Sequence, residues 1–575
     1  MLKLFRNLKP YRLLVIAVLV LVFFQSLSEL YLPTLMSDII DTGVVNGDTS
    51  YIWDIGIFML LVALGGMVCS IGASYFSSKA ASGFGKSLRA KVFNHVENFS
   101  LEEFDKLGTA SLITRTTNDI TQIQQVLIMI LRMMIMAPML CIGGIIMAVS
   151  KDATLSLVFI VVIPLLALAI LLIARSGMPY FKAIQLKIDK LNLVLREGLT
   201  GIRVIRSFNR IDHEKKRFQA ANLDLTETSI KVNKIMALMM PIMMLVMNFS
   251  SVAIIWFGGL RIDSGHMQVG DLMAFLQYAM QIMFSLVMVS MMFVLIPRAS
   301  ASAIRINEVL DMVPIIKDAE VLKPATGKKG YVEFQNVTFS YPGAEQPAIQ
   351  DISFAASPGE VTAIIGGTGS GKSTLISLIP RFYEVDSGRV LVDGTDVRDM
   401  SQEELRKKIG LVPQKSVLFT GTINDNIRYG KEDATDEEIR HAAQIAQASN
   451  FISEMEDGFD SVIAQGGSNV SGGQKQRLSI ARALVRQAEV YIFDDSFSAL
   501  DFKTDAKLRA ALKQETLEST VIIVAQRVST VLDADRIIVM NDSQIAGIGN
   551  HRELMETCDV YKEIVYSQLS EEEIA

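Results

Sequence analysis

The chain has 575 residues, too many for one ordinary globular domain. Half are apolar, 20% are charged and the mean hydropathy is +0.35, which excludes intrinsic disorder, collagen and small disulfide-stapled scaffolds. A formal charge of −6 argues against a nucleic-acid binder driven by bulk positive charge.

The charge is shared unevenly. Residues 1–324 carry +7 and residues 325–575 carry −13, and the apolar runs fall almost wholly in the first part. The expectation is a transmembrane domain over 1–324 and a soluble, acidic domain over 325–575. Cys69, Cys141 and Cys558 do not form the pattern of a disulfide framework.

Six apolar segments lie near 13–35, 55–77, 127–149, 155–174, 236–259 and 272–296. Each is about the ~20 residues a helix needs to cross a bilayer. The links after segments 1, 3 and 5 are short. Those after segments 2 and 4 are long, polar and basic, with Lys79, Lys86, Arg89, Lys91 and Arg115 in one and a run from Arg175 to Arg217 in the other. Basic residues beside spans favour the cytoplasm, which puts both long links and both termini inside the cell. Ile184, Ile188, Leu191 and Leu195 recur at helical spacing, and no proline lies between Pro179 and Pro241. The membrane helices are therefore expected to run on into the cytoplasm, with hairpin turns near Leu101–Ala110 and Phe208–Glu214.

Inside the spans, Glu29 and Arg132 are costly charges that either pair structurally or face a substrate cavity. Met236, Met239, Met240, Met243, Met244 and Met247 crowd segment 5, and Met280, Met283, Met288, Met291 and Met292 crowd segment 6. Methionine suits a surface that adapts to several hydrophobic ligands, and equally suits plain packing.

Beyond residue 325, short β-like runs alternate with helical stretches. The apolar run Val361–Ile365 leads into Gly366-Gly367-Thr368-Gly369-Ser370-Gly371-Lys372-Ser373-Thr374. This fits a P-loop, in which backbone N–H groups wrap a β-phosphate. Lys372 meets β- and γ-phosphate charge, the Ser373 hydroxyl can hold Mg²⁺, and a helix starting at Lys372 adds its positive end. A second apolar run, Val490–Phe493, ends in Asp494-Asp495, which reads as a Walker B element with Asp494 in the Mg²⁺ shell. Between them, Val470-Ser471-Gly472-Gly473-Gln474 opens another helix with an anion-binding end.

This order of motifs resembles the ATP-binding cassette (ABC) transporters. Val470–Gln474 resembles the family signature, usually Leu-Ser-Gly-Gly-Gln. Gln414, in Val-Pro-Gln, resembles the Q-loop; Ser498–Asp501 resembles the D-loop; Tyr341 resembles the aromatic that stacks on adenine. The resemblance covers nearly the whole chain. It implies a membrane α-helical bundle of six transmembrane helices with long cytoplasmic extensions, fused to an α/β P-loop ABC nucleotide-binding domain, as in a bacterial exporter half. It implies ATP and Mg²⁺ as ligands, with Ser373, Gln414 and Asp494 at the metal, and a location in the bacterial cytoplasmic membrane. It also implies a dimer in which each ATP meets the P-loop of one chain and Ser471, Gly472, Gly473 and Gln474 of the other, and hairpin turns that act as coupling helices.

Two positions depart from the family. The catalytic base after the Walker B aspartate is usually Glu and is here Asp495; the switch histidine is replaced by Gln526. The shorter Asp draws its carboxylate back by about one C–C bond, ~1.5 Å. A misplacement of that order can cost ~10²-fold in rate. Gln526 can hydrogen-bond a γ-phosphate but cannot carry the charge of His. The chain resembles the degenerate-site subunit of bacterial heterodimeric multidrug exporters. Its expected partner is a second half-transporter with a Walker B Glu, a switch His and a weakened signature, and its expected substrate is a hydrophobic or amphipathic small molecule, not nucleic acid. The alternatives are a lipid or peptide flippase, an ATP-clamped regulator or channel, and a homodimeric pump that tolerates Asp as base.

Overall fold

A computed structural model describes residues 1–319, 321 and 327–569. It divides into two compact units, Met1–Glu97 with Thr109–Met312, and Asn98–Gly108 with Val313–Ala575. The expected domain boundary at 324/325 lies outside the described residues. The short stretch Asn98–Gly108, between two membrane helices in sequence, belongs to the second unit.

Among the described residues, six helices of the first unit are long and apolar enough to cross a membrane: Lys3–Val44, Thr49–Val96, Thr109–Lys151, Leu155–Thr200, Ile211–Asp263 and Val269–Asp311. The last is an unbroken 43-residue helix. At 1.5 Å per residue it reaches about 65 Å, twice the ~30 Å hydrocarbon layer. The expected extension of the helices beyond the apolar segments is therefore present. Pro33, Pro138, Pro164, Pro179 and Pro297 all lie inside helices, where membrane surroundings tolerate them. The fifth span breaks at Leu238, three residues before Pro241, which has no N–H to continue the ladder.

The two hairpin turns differ from the expected ranges in detail. The first holds a short helix, Leu101–Leu107, closed by Gly108 at φ +73°. The second holds the short helix Ile202–Ser207 and then a turn over Phe208–Arg210, with Asn209 in the left-handed region at φ 52°. Ile211–Glu214 were expected in this turn and instead begin the next helix. Asp212 and Glu214 suit that helix start, because acidic groups in a first turn meet the positive end of the helix dipole.

Polar groups in this unit are mostly satisfied internally. Asp119, buried at the end of a π-helical turn over Arg115–Asp119, accepts from Arg305 Nε at 2.7 Å and from Ser302 Oγ at 2.9 Å. Gln25 Nε2 donates to the Glu29 carboxylate at 3.0 Å, and Gln281 Nε2 donates to the Glu29 carbonyl at 2.9 Å, tying the first span to the sixth. Arg132 is half-buried and has no polar partner among the described residues. The methionines divide: Met243, Met283 and Met288 are buried, whereas Met240, Met244 and Met280 are exposed. The side chain of Met291 lies outside the described residues.

The second unit is an α/β structure. Its central sheet runs Gln544–Gly549, Arg536–Asn541, Val361–Gly366, Thr520–Val524, Val490–Asp494 and Ile409–Val412 in spatial order. All neighbours are parallel except the first pair. The four inner and far-side strands Val361–Gly366, Thr520–Val524, Val490–Asp494 and Ile409–Val412 are mostly buried and apolar, as expected for a sheet covered on both faces, whereas the edge strand Gln544–Gly549 is partly exposed. An antiparallel sheet of Ile349–Ala356, Val332–Phe339, Ser387–Val392 and Thr395–Asp396 lies beside it. Phe334 and Phe354 stack across that sheet at 4.7 Å. In the parallel sheet Ile364 is level with Val524, and Ile523 with Phe493. The register brings the carboxyl ends of three strands to one edge, the place where parallel α/β sheets present ligand sites. Gly366 and Asp494 end two of these strands, and Ala525 directly follows the third.

Candidate nucleotide site

The turn after Val361–Gly366 is built from glycines for steric reasons. A Cβ on Gly366 would lie 2.2 Å from the Met540 carbonyl oxygen. Gly371 has φ +94°, and a Cβ there would meet the Ala348 carbonyl at 2.5 Å. The chain then enters the helix Lys372–Leu378. Lys372 is 8% exposed, and its Nζ donates to the carbonyls of Gly366 at 2.8 Å and Gly367 at 2.6 Å. Burial pushes its pKa down, against the pull of Asp494 and Asp495. A cation folded back on its own loop, with no counter-anion in contact among the described residues, suits a site that receives phosphate.

Ser373 Oγ donates to Asp494 Oδ1 at 3.2 Å. Burial, reinforced by neighbouring Asp495, raises the Asp494 pKa even though the Ser373 bond and Lys372 oppose it. A hydroxyl and a carboxylate oxygen side by side are hard donors of the kind Mg²⁺ takes alongside phosphate and water. The donor set fits that ion.

Asp495 follows the strand end in the left-handed region at φ 48°. Its N–H donates to the Val524 carbonyl at 2.9 Å. Its carboxylate is shared: Gln414 Nε2 donates to Oδ2 at 3.3 Å and Gln526 Nε2 donates to the same atom at 3.2 Å. Gln414 thus lies with Asp495 and Gln526, while Ser373 and Asp494 form a neighbouring pair.

Tyr341 is 39% exposed, and its hydroxyl bonds Thr374 Oγ1 at 3.0 Å, fixing it to the helix that follows the P-loop. Its ring meets Phe339 at 5.1 Å and Tyr383 at 5.4 Å, both edge-on. Tyr383 was missed by sequence reasoning. It lies 42 positions after Tyr341 with no motif to join them, and only the fold brings them together.

Ser471, Gly472, Gly473 and Gln474 form a separate helix start. Ser471 caps the helix Gly472–Leu484 in a capping box: Gln474 N donates to Ser471 Oγ at 3.3 Å and Ser471 N donates to Gln474 Oε1 at 2.8 Å. The hydrogen bonds of this turn close on each other and do not involve the P-loop of the same chain. Gln476 in the same helix donates to the Asp495 carbonyl at 3.4 Å, a link not visible in the sequence. In the expected D-loop, Ser498 Oγ donates to the Asp495 carbonyl at 2.9 Å and Asp501 caps the helix Phe502–Glu515.

Comparison with known proteins gives consistent results. Residues 15–286 match the ABC transporter transmembrane region family, and residues 349–498 match the ABC transporter family. An uncharacterized ABC transporter ATP-binding protein of Mycobacterium tuberculosis is 45% identical over 98% of this chain and 97% of its own. An ATP-dependent lipid A-core flippase of Chromobacterium violaceum is 32% identical over 95% of this chain and 93% of its own. A bacterial Atm1-family ABC exporter with ATP bound has the same fold, with a TM-score of 0.82 at 24% identity over 97% of this chain and 99% of that one.

Proposed function

This chain belongs to the ABC transporter family, and we propose that it is the weakly hydrolysing half of a heterodimeric exporter that moves amphipathic compounds out across the cytoplasmic membrane. In this reading the nucleotide-binding unit and both termini are cytoplasmic, and the six spans cross the bilayer.

ATP is held by the loop Gly366–Gly371 and by Lys372, which exchanges its carbonyl partners for phosphate oxygens. Thr368, Gly369 and Ser370 border the same turn, and Thr374 carries Tyr341 to the adenine. Mg²⁺, when bound, neutralises charge between the β- and γ-phosphates. Ser373 and Asp494 would hold it, with Gln414 beside them. Ser471, Gly472, Gly473 and Gln474 present a helix N-terminus to the ATP of the partner chain.

The observation that carries the asymmetric reading is the environment of Asp495. A general base for the attacking water must reach that water with a free carboxylate oxygen. Here the carboxylate is one methylene short, and one of its oxygens accepts from both Gln414 and Gln526. No imidazole stands at 526 to supply positive charge near the γ-phosphate. The phosphate-binding groups are intact, so binding is retained while hydrolysis is slow. A partner with Glu and His in these places completes a competent site using the signature turn of this chain.

The exposed methionines of the fifth and sixth spans support a hydrophobic cargo. Similarity to a lipid A-core flippase favours a second reading, in which the cargo is a lipid.

The test is ATP turnover per complex for the chain purified alone and co-purified with its partner. Negligible turnover alone with robust turnover together is the expected result. Robust turnover alone would refute the asymmetric pair and leave a homodimeric pump with Asp495 as an adequate base.

A further inference from the structure

The helix Leu101–Leu107 belongs to the same compact unit as the nucleotide site, although both flanking helices belong to the other unit. Its start is fixed by Ser100 and Glu103, whose capping box places Glu103 Oε2 2.6 Å from the Ser100 N–H. The other carboxylate oxygen of Glu103 accepts from the backbone N–H of Ile315 at 2.8 Å. One more polar bond joins this helix to the cassette: Tyr383 donates its hydroxyl proton to Asp105 Oδ2 at 3.2 Å.

At its other edge, Tyr383 meets the ring of Tyr341 at 5.4 Å and 85°. Phe339 touches both rings, at 5.1 Å and 5.4 Å. The three rings form one contiguous cluster. One of its members is bonded to the P-loop helix through Thr374, and another is bonded to Asp105. Burial and the neighbouring carboxylates of Asp105 and Glu102 push the Tyr383 phenol far above its ordinary pKa, so it stays a proton donor.

We propose that Tyr383 is a positioning residue that transmits the presence of a purine base on Tyr341 to the helix Leu101–Leu107 through its bond to Asp105. This rests on the reading of Tyr341 as the base platform. Edge-to-face rings have a preferred geometry, so a base that fixes the tilt of Tyr341 also fixes the ring it abuts. The hydroxyl of Tyr383 then has one position from which to reach Asp105. Phosphate alone on the P-loop leaves Tyr341 unloaded and does not produce the effect.

The experiment is amide hydrogen exchange over Leu101–Leu107, on the full-length chain in lipid nanodiscs, without nucleotide, with ATP and with tripolyphosphate. A hydrogen bond to a charged group is equivalent to about a tenfold change in a local opening equilibrium. ATP is expected to slow exchange in this helix about tenfold, with tripolyphosphate having little effect. Tyr383→Phe keeps the ring and deletes the bond. It should abolish the protection by ATP and lower ATP affinity, measured by equilibrium dialysis, by no more than about the same tenfold, as reciprocal coupling requires. Asp105→Asn should weaken the protection in the same direction. Protection by ATP that survives Tyr383→Phe, or equal protection by tripolyphosphate, overturns the proposal. Tyr341→Ala tests the base platform separately: unchanged ATP affinity in that variant would refute the platform itself, whatever Tyr383 does.

Discussion

On the proposed reading of a slow site, replacing Asp495 by Glu and Gln526 by His should raise its turnover. The Glu carboxylate extends about one C–C bond, ~1.5 Å, further from the strand end. That places it beyond the point where Gln414 and Gln526 now hold Oδ2 of Asp495 at 3.3 Å and 3.2 Å. The histidine removes one of those two donors from the carboxylate and sets an imidazole near the γ-phosphate. A misplaced reacting group of this size costs ~10²-fold, so a gain of that order is expected at this site, equivalent to about 2.7 kcal/mol of barrier. Either substitution alone should recover less, because the two residues share a contact and are not additive. The assay is phosphate release by the co-purified pair, with the catalytic carboxylate of the partner changed to an amide so that only this site contributes. A double variant whose turnover stays within about twofold of the unmodified chain would refute the account of Asp495 and Gln526.

Lys372→Ala should weaken ATP binding about 10- to 100-fold, the scale of a lost charge-assisted hydrogen bond, measured by equilibrium dialysis. Ser471→Ala removes a helix cap at a cost of about 1 kcal/mol; it should reduce turnover by the pair while ATP affinity at the P-loop of this chain stays unchanged. Phe493 is fully buried between Tyr491 and Phe497, so Phe493→Ala should destabilise the nucleotide-binding unit by about 3–5 kcal/mol, seen as a lower unfolding midpoint for that unit. Asp152 is buried between two spans; burial alone would raise its pKa, but the Leu155 N–H and Arg261 outweigh it and the net shift is downward. A carboxylate depressed in the folded state contributes stability above its unfolded pKa of about 3.9. The contribution of Asp152 should be constant from neutral pH down to that value and be lost below it. A stability loss between neutral pH and 5 that Asp152→Asn abolishes would contradict this.

The motifs of the candidate site were legible because they are sequential. Gly366–Thr374, Asp494-Asp495 and Ser471–Gln474 each lie on a few consecutive residues, with strand or helix periodicity on one side. The spans were legible because a lipid-exposed helix must be apolar along its whole crossing. Their ends beyond the apolar segments were harder, since the apolar signal stops before the helix does. The second hairpin shows this: only the left-handed Asn209 closes the turn, and the acidic residues just after it already belong to a helix start. Relations across the fold carry no such signal. Tyr341 and Tyr383, Gln476 and Asp495, and Asp119 and Arg305 meet through topology alone.

On the proposed reading, the same distinction lets a cassette lose hydrolysis and keep binding. The groups proposed to hold phosphate and metal are anchored by the buried strand end and by a loop in which added side chains would clash with neighbouring carbonyls. The hydrolytic corner is built from exposed ends: Gln414 and Gln526 are both surface side chains reaching one carboxylate. Substitution there disturbs no core packing and costs the fold little, whereas substitution at Gly366 or Gly371 would strain the turn itself. Change should therefore accumulate at 495 and 526 before it reaches the P-loop. A chain that has drifted in this way still offers ATP affinity and an intact signature turn, the two properties a hydrolysing partner needs from it.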